Sequence, residues 1–196
     1  MSNFISCGKL ATQMENGLEQ VKKGLKKKFS SKKIIFGQGF DGAKVVFVTD
    51  PATSREIEEN KPITGHGEKT LNKLLKLAGL DKRKVYITNV VKYTVQGRVH
   101  TSKEIKSSVP FLKEEIKTIS PQVVVTLGTT ALTGIGLRQP LNNVRGRTFN
   151  FGSYELLPTH HPENTQKNPI LQPELEADFL KLKTLLKNIK ERPTEV

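Results

Sequence analysis

Four short stretches of this chain are apolar on both faces. They are "KVVFVTD" (44–50), "KVYITNV" (84–90), "PQVVVTLGTTAL" (121–132, a run passing through Gly128 into a helix start) and "YELLPTHHP" (154–162). Strands of this kind cannot leave either face in water, so they require cover on both sides and imply a parallel sheet between helical layers. The intervening segments supply the cover. "KTLNKLLKLAGL" (69–80) sets Leu71, Leu74, Leu75 and Ala78 at helical spacing, with Gly79 as a stop. "TSKEIKSSVPFLKEEIKTIS" (101–120) opens on Thr101 with Glu104 three residues on, a capping-box pattern, and Pro110 is expected to bend or divide this helix. Residues 173–190 place Leu175, Phe179, Leu182, Leu185, Leu186 and Ile189 on one face. The pattern predicts an α/β fold: a three-layer α/β/α sandwich around a central four-stranded parallel sheet.

The carboxyl ends of these strands carry Asp50, Asn89, Gly128 and the pair His160-His161. In open parallel sheets ligands bind beyond those ends. Each residue has an ordinary reading: an Asp as a cap, an Asn as a turn former, a strand-end His as a structural group. An acid, an amide, a glycine before a helix and histidine at four successive strand ends nevertheless converge on one rim and point to a site. Neither a P-loop signature nor a Gly-x-Gly-x-x-Gly fingerprint follows the first strand, which counts against a nucleotide-binding domain.

Charge narrows the ligand. With 32 Lys+Arg against 19 Asp+Glu the formal net charge is +13, which suits a polyanion. Residues 9–28 read as a basic amphipathic helix built on Leu10, Met14, Leu18, Val21 and Leu25, and the lysines of 22–33 read either as a solvated tether or as phosphate contacts. We therefore expect a basic helical extension over 1–33 and one main domain over 34–196. The single cysteine, Cys7, excludes an internal disulfide and a Cys-rich zinc or iron–sulfur site, and suits a reducing compartment. No apolar stretch approaches the roughly 18 residues of a membrane span. No signal-peptide core is visible at the N-terminus, and there is no internal repeat.

The four blocks together resemble the uracil-DNA glycosylase superfamily, most closely its thermostable, iron–sulfur-bearing family four. The likeness runs from about Ile34 to Ile189 and rests on "KVVFVTDPATSREIEENKPITGHGEKTLNKLLKLAGL", "VYITNVVKY", "PQVVVTLGTTAL" and "THHPENTQKNPILQPELEADFLKLKTLL". It implies a monofunctional DNA glycosylase that draws its base out of the duplex, hydrolyses the N-glycosidic bond with water and leaves an abasic site without a cofactor or metal. By the same resemblance Asp50 orients water or stabilises the sugar cation, His161 donates to the departing base, and Asn89 reads the base edge, beside Ile63, Pro51 and Ala52. Glu163, Asn164, Thr165, Gln166 and Lys167 follow as the loop that meets DNA in the family, the last four as expected DNA contacts. The partner is DNA, and a monomer acting in the cytoplasm at the nucleoid is expected.

The departures bear on the substrate. Two cluster-cysteine positions hold Tyr93 and Ser108, and no Cys-x-x-Cys pair exists, so no iron–sulfur cluster is expected. The family's Gly-Glu-Ala-Pro-Gly loop is Thr49-Asp50-Pro51-Ala52-Thr53, its pocket phenylalanine is Ile63, and the DNA-facing loop lacks an apolar wedge. A modified or enlarged pyrimidine, as in phage DNA, stands beside plain uracil as substrate, with DNA repair or anti-phage defence as the setting. Arg98 and His100 are expected as phosphate contacts, although their spacing matches a covalently trapping branch of the superfamily and leaves capture through His100 as an alternative. A catalytically inactive DNA-binding module is the alternative from another class.

Overall fold

The computed structural model describes residues 2–191, with side chains from Thr12 onward; Cys7 and Leu10 lie outside the described side chains. The four expected strands are β2 (Val45–Thr49), β3 (Tyr86–Asn89), β4 (Val123–Leu127) and β6 (Glu155–Thr159). All are parallel, in the order β3-β2-β4-β6. Two short edge strands extend the sheet to six: β1 (Gln38–Gly39) pairs antiparallel with β3, and β5 (Phe149–Asn150) with β6. The sheet is therefore mixed rather than purely parallel. A two-residue strand carries no alternation, which is why the sequence shows neither edge.

Register brings the strand ends level. Thr49 pairs with Asn89 and with Leu127, and Leu127 pairs with Thr159. The residues immediately beyond, among them Asp50, Gly128 and His160, therefore share one rim.

Alternation along the strands divides the core. Val46, Val48, Val124 and Leu156 face α4 (Ser102–Ile119) and α5 (Thr129–Ile135) through Leu112, Ile116 and Leu132. Val45, Phe47, Val125 and Leu157 face α3 (Gly65–Leu77) and α7 (Leu171–Glu191) through Leu71, Leu74, Leu75, Phe179 and Leu182. Phe47 and Phe179 stack with ring centroids 5.9 Å apart. Two short helices, α2 (Ser54–Glu59) and α6 (Leu141–Val144), complete the set.

Helix α1 spans Ser2–Lys28 and lies along α4 with Leu18, Val21 and Leu25 buried. Thr101 and Glu104 form the expected capping box of α4, but Pro110 does not divide that helix. The ring sits on the exposed face, so the carbonyl of Lys106 that loses its partner there can bond water instead.

Between β3 and α4 lies a buried charged cluster. Lys92 Nζ is 2.7 Å from Glu115 Oε2 with both side chains almost fully enclosed. Tyr86 Oη donates to Glu115 Oε1 at 2.9 Å, Thr88 Oγ1 donates to Oε2 at 2.9 Å, and Lys92 also reaches Thr88 Oγ1 and the carbonyl of Asn89. Burial and the adjacent carboxylate drive the Tyr86 phenol far above its usual range.

Candidate active site

A cleft of about 250 Å³ opens at the carboxyl ends of β2 and β6. The loop after β2 contributes Thr49, Asp50, Pro51 and Thr53, and α2 adds Arg55 and Glu56. Thr64 enters from the N-terminus of α3, and His161, Glu163 and Asn164 from the segment after β6.

Asp50 leaves β2 and turns toward the first turn of α5. Its Oδ1 accepts the N–H of Ala131 at 2.9 Å, and the N–H of Thr130 also donates to the carboxylate. Gly128 permits this approach: its φ is +105°, and a Cβ there would collide with the Asp50 carboxylate. Burial raises the Asp50 pKa to about 6, against the downward pull of the two N–H donors.

His161 is fixed in one tautomer. Its Nδ1 accepts from the N–H of Glu163 at 3.2 Å, and a backbone N–H can only donate. The proton of the neutral ring therefore sits on Nε2, the donor left for the cleft. Burial lowers the His161 pKa to about 4 although the Glu163 charge pulls it upward. Near neutral pH the pair is thus a carboxylate and an uncharged imidazole.

These shifts act on stability in opposite senses. Folded Asp50 holds its proton more tightly than the unfolded chain, so its contribution falls as pH rises from 3.8 through about 6. Folded His161 holds its proton less tightly, so its contribution rises from about 4 to 6.5. Asp50→Asn removes the first effect and leaves the second. Relative to wild type, the variant is expected to gain stability between about pH 4 and about pH 7, by on the order of 2 kcal/mol. Thermal unfolding of both proteins at the two pH values checks this; an unchanged offset means that Asp50 titrates normally.

Asn89 lies beneath the cleft at 1 % exposure and is not part of its lining. Its Nδ2 donates to Thr49 Oγ1 at 2.7 Å, to Pro62 O at 2.9 Å and to Asp50 O at 3.2 Å. Two of these partners are carbonyls, which can only accept, so the amide orientation is determined. Asn89 pins the Asp50 loop to the Pro62 segment, and its Oδ1 is what it can offer a base.

The other expected site residues divide. Pro51 and Asn164 line the cleft, whereas Ile63 packs into the core beside α3 at 4 % exposure and Ala52 is buried with Ile35 and Ile57. Thr165 turns inward, its hydroxyl 2.7 Å from His66 Nε2 and donating to Pro162 O at 2.8 Å. Gln166 and Lys167 are exposed beyond the cleft. Arg98 makes two 2.8 Å bonds to Glu104, and His100 packs edge-on against Tyr93 with its Nε2 enclosed and unpartnered. Neither reaches the cleft lining. The loops nearby do present apolar groups, Val99 at 85 % and Ile170 at 75 % exposure. Thr53, Arg55, Glu56, Thr64 and Glu163 are cleft residues that strand-end reasoning does not single out. The Thr53-x-x-Glu56 spacing, a capping box in the structure, is the signal that marks α2. Glu163 caps the opposite wall, its Oε2 accepting the N–H of Gly67 at the start of α3.

A model of the uracil DNA glycosylase superfamily matches residues 36–183, which include both cleft-forming loops. The chain belongs to that superfamily. As a member it is a DNA glycosylase, a hydrolase of a DNA-repair enzyme family. It is 31% identical over 166 residues to the Type-4 uracil-DNA glycosylase of Saccharolobus solfataricus, covering 79% of this chain and 77% of the relative. The Type-4 uracil-DNA glycosylase of Thermotoga maritima is 32% identical over 139 residues, 69% of this chain and 72% of its own. A DNA polymerase of Bacillus phage SP01 is 30% identical over 152 residues, 76% of this chain but 16% of that protein.

The two positions that the resemblance compares with cluster cysteines are held by Tyr93 and Ser108. Tyr93 is buried with its ring 4.9 Å from that of Phe29, and the buried Ser108 donates to Glu104 O at 3.1 Å. Tyr93 is thus packed among aromatic rings, Phe29 on one side and His100 on another. Among the described residues no group of three or more His, Cys, Asp and Glu is placed to hold a metal ion. No helix among them is long and apolar enough to cross a membrane.

Proposed function

We propose that this glycosylase is monofunctional and releases a flipped-out pyrimidine of the uracil type, plain or enlarged, leaving an abasic site. The observation that carries the reading is a carboxylate and a neutral Nε2–H imidazole meeting in one cleft. As the bond between the sugar C1′ and the base N1 lengthens, its electron pair passes to the base and positive charge builds on the sugar. Ionised Asp50 stabilises that charge and orients the attacking water, whose oxygen bonds C1′ and whose proton Asp50 accepts. His161 Nε2–H donates to the base O2 as negative charge collects there. With its N–H₂ committed, Asn89 offers Oδ1, which accepts from a ring N–H of uracil type and not from the acceptor nitrogen of cytosine.

The cleft lining contains no Phe, Tyr or Trp and is rich in hydroxyls and carboxylates with one guanidinium, so a polar substituent on the ring finds partners. This supports modified pyrimidines, including those of phage DNA, as substrates beside uracil. The reaction uses water and no cofactor, by a monomer in the cytoplasm at the nucleoid. The enclosure of His100 speaks against covalent capture, and the joint presence of Asp50 and His161 against an inactive binding module.

The deciding experiment is base release from single- and double-stranded oligonucleotides carrying uracil, substituted uracils or cytosine, and from modified phage DNA, read by mass spectrometry. Uracil-type bases are expected as products and cytosine is not. Asp50→Asn is expected to reduce release by on the order of 10²-fold or more. DNA binding without release from any substrate would return the inactive module, and protein-linked DNA that survives denaturation would return covalent capture.

A further inference from the structure

A second and larger depression, of about 810 Å³, lies at the other end of the sheet. It is bounded by the start of β2 at Lys44 and Val45, the turn after α3, and the last turns of α7. β2 is five residues long, so roughly 17 Å separates this groove from the Asp50 rim. Its floor is apolar: Leu80 and Leu186 are only partly covered by the core, and Phe40 stands 53% exposed at its edge.

The rim is basic. Lys44, Lys84, Lys183, Lys187 and Lys190 all border the groove and are all exposed. Its one carboxylate, Asp81, is already held by Arg83, through Nη2 at 2.8 Å and Nε at 3.1 Å, which keeps its pKa near 2. Lys187 reaches Glu191 only at 3.9 Å, with both side chains in water. Among the described residues Lys44, Lys183 and Lys190 have no carboxylate partner. An apolar floor inside a ring of unneutralised lysines is complementary to a ligand that is acidic and apolar together.

We propose that this groove docks an acidic peptide segment with large apolar side chains, presented by a partner protein. Two features favour a peptide over nucleic acid. Phosphates would engage the lysines but leave the aliphatic floor and Phe40 uncovered. DNA seated on the catalytic rim lies at the opposite end of the strands. Aspartates meeting the lysines and a leucine or phenylalanine on the floor satisfy both features at once.

The test uses the full chain in fluorescence anisotropy. One labelled probe is a peptide in which a run of aspartates precedes leucine and phenylalanine; a second replaces the apolar residues by serine; a third is a short single-stranded oligonucleotide without a target base. The first peptide is expected to bind about tenfold or more tightly than the second. Phe40→Ser and Lys183→Glu/Lys187→Glu are each expected to weaken it about tenfold while base release and oligonucleotide affinity stay unchanged. Equal binding of the two peptides, or none, overturns the proposal. So does a parallel loss of oligonucleotide affinity, which would make the groove a nucleic-acid surface. Self-association in sedimentation that Phe40→Ser abolishes would assign it to a second copy.

Discussion

His161→Ala is expected to lower single-turnover base release by on the order of 10²–10³-fold, the loss typical of one pre-oriented donor to a developing anion. The ring is neutral near pH 7 because burial holds its pKa near 4, and its proton is on Nε2 because the Glu163 N–H occupies Nδ1. Such a donor needs no reorganisation when charge appears on the base. Since the charge exists only in the transition state, affinity for target DNA should change little and the loss should fall on the chemical step. The pH profile separates this role from the one assigned to Asp50. Release by wild type should rise with pH through about 6 as Asp50 ionises, and the residual activity of His161→Ala should keep that rise. His161→Gln, which can present an amide N–H, should recover part of the loss. A few-fold change only, or a loss carried by DNA affinity, would remove His161 from the chemistry.

The strands and the rim were legible because burial on both faces leaves an unbroken apolar run, and because register makes the ends of such runs coincide. Asp50 and the pair His160-His161 followed from that, and the resemblance singled out His161. The resemblance assigned Asn89 and Ile63 to the base pocket, but a one-dimensional match does not show what else each side chain touches. Asn89 spends its N–H₂ on Thr49, Asp50 and Pro62, and Ile63 joins the core beside α3. Thr53, Arg55, Glu56 and Thr64 escaped because they reach the cleft from a six-residue helix and a helix start, not from a strand end. The groove at the opposite end of the strands escaped for a related reason. Its lysines are scattered from Lys44 to Lys190, so no local charge run marks it.

Glu115→Gln is expected to destabilise the fold by about 3–5 kcal/mol, the usual consequence of leaving one member of a buried ion pair uncompensated. Lys92 and Glu115 are 2.7 Å apart and nearly inaccessible, and the same carboxylate accepts from Tyr86 Oη and Thr88 Oγ1. The amide keeps the volume but loses the charge and one acceptor; with its oxygen toward Lys92 and Thr88, the ammonium has no countercharge and the Tyr86 hydroxyl faces an N–H₂ group. Replacing both charges, as Lys92→Met with Glu115→Leu, should recover a good part of the stability, because two desolvated ions are removed together. Urea denaturation with a constant m-value measures both variants. The comparison also tests what the pair does for the site. Lys92 Nζ lies 3.3 Å from the carbonyl of Asn89, whose amide holds the Asp50 loop. A double variant that refolds but releases the target base more slowly, at unchanged DNA affinity, would make the pair a positioning element for Asn89. One with normal turnover would confine it to stability. A loss below about 1 kcal/mol for Glu115→Gln would mean that the Lys92 ammonium reaches water once its partner is neutral.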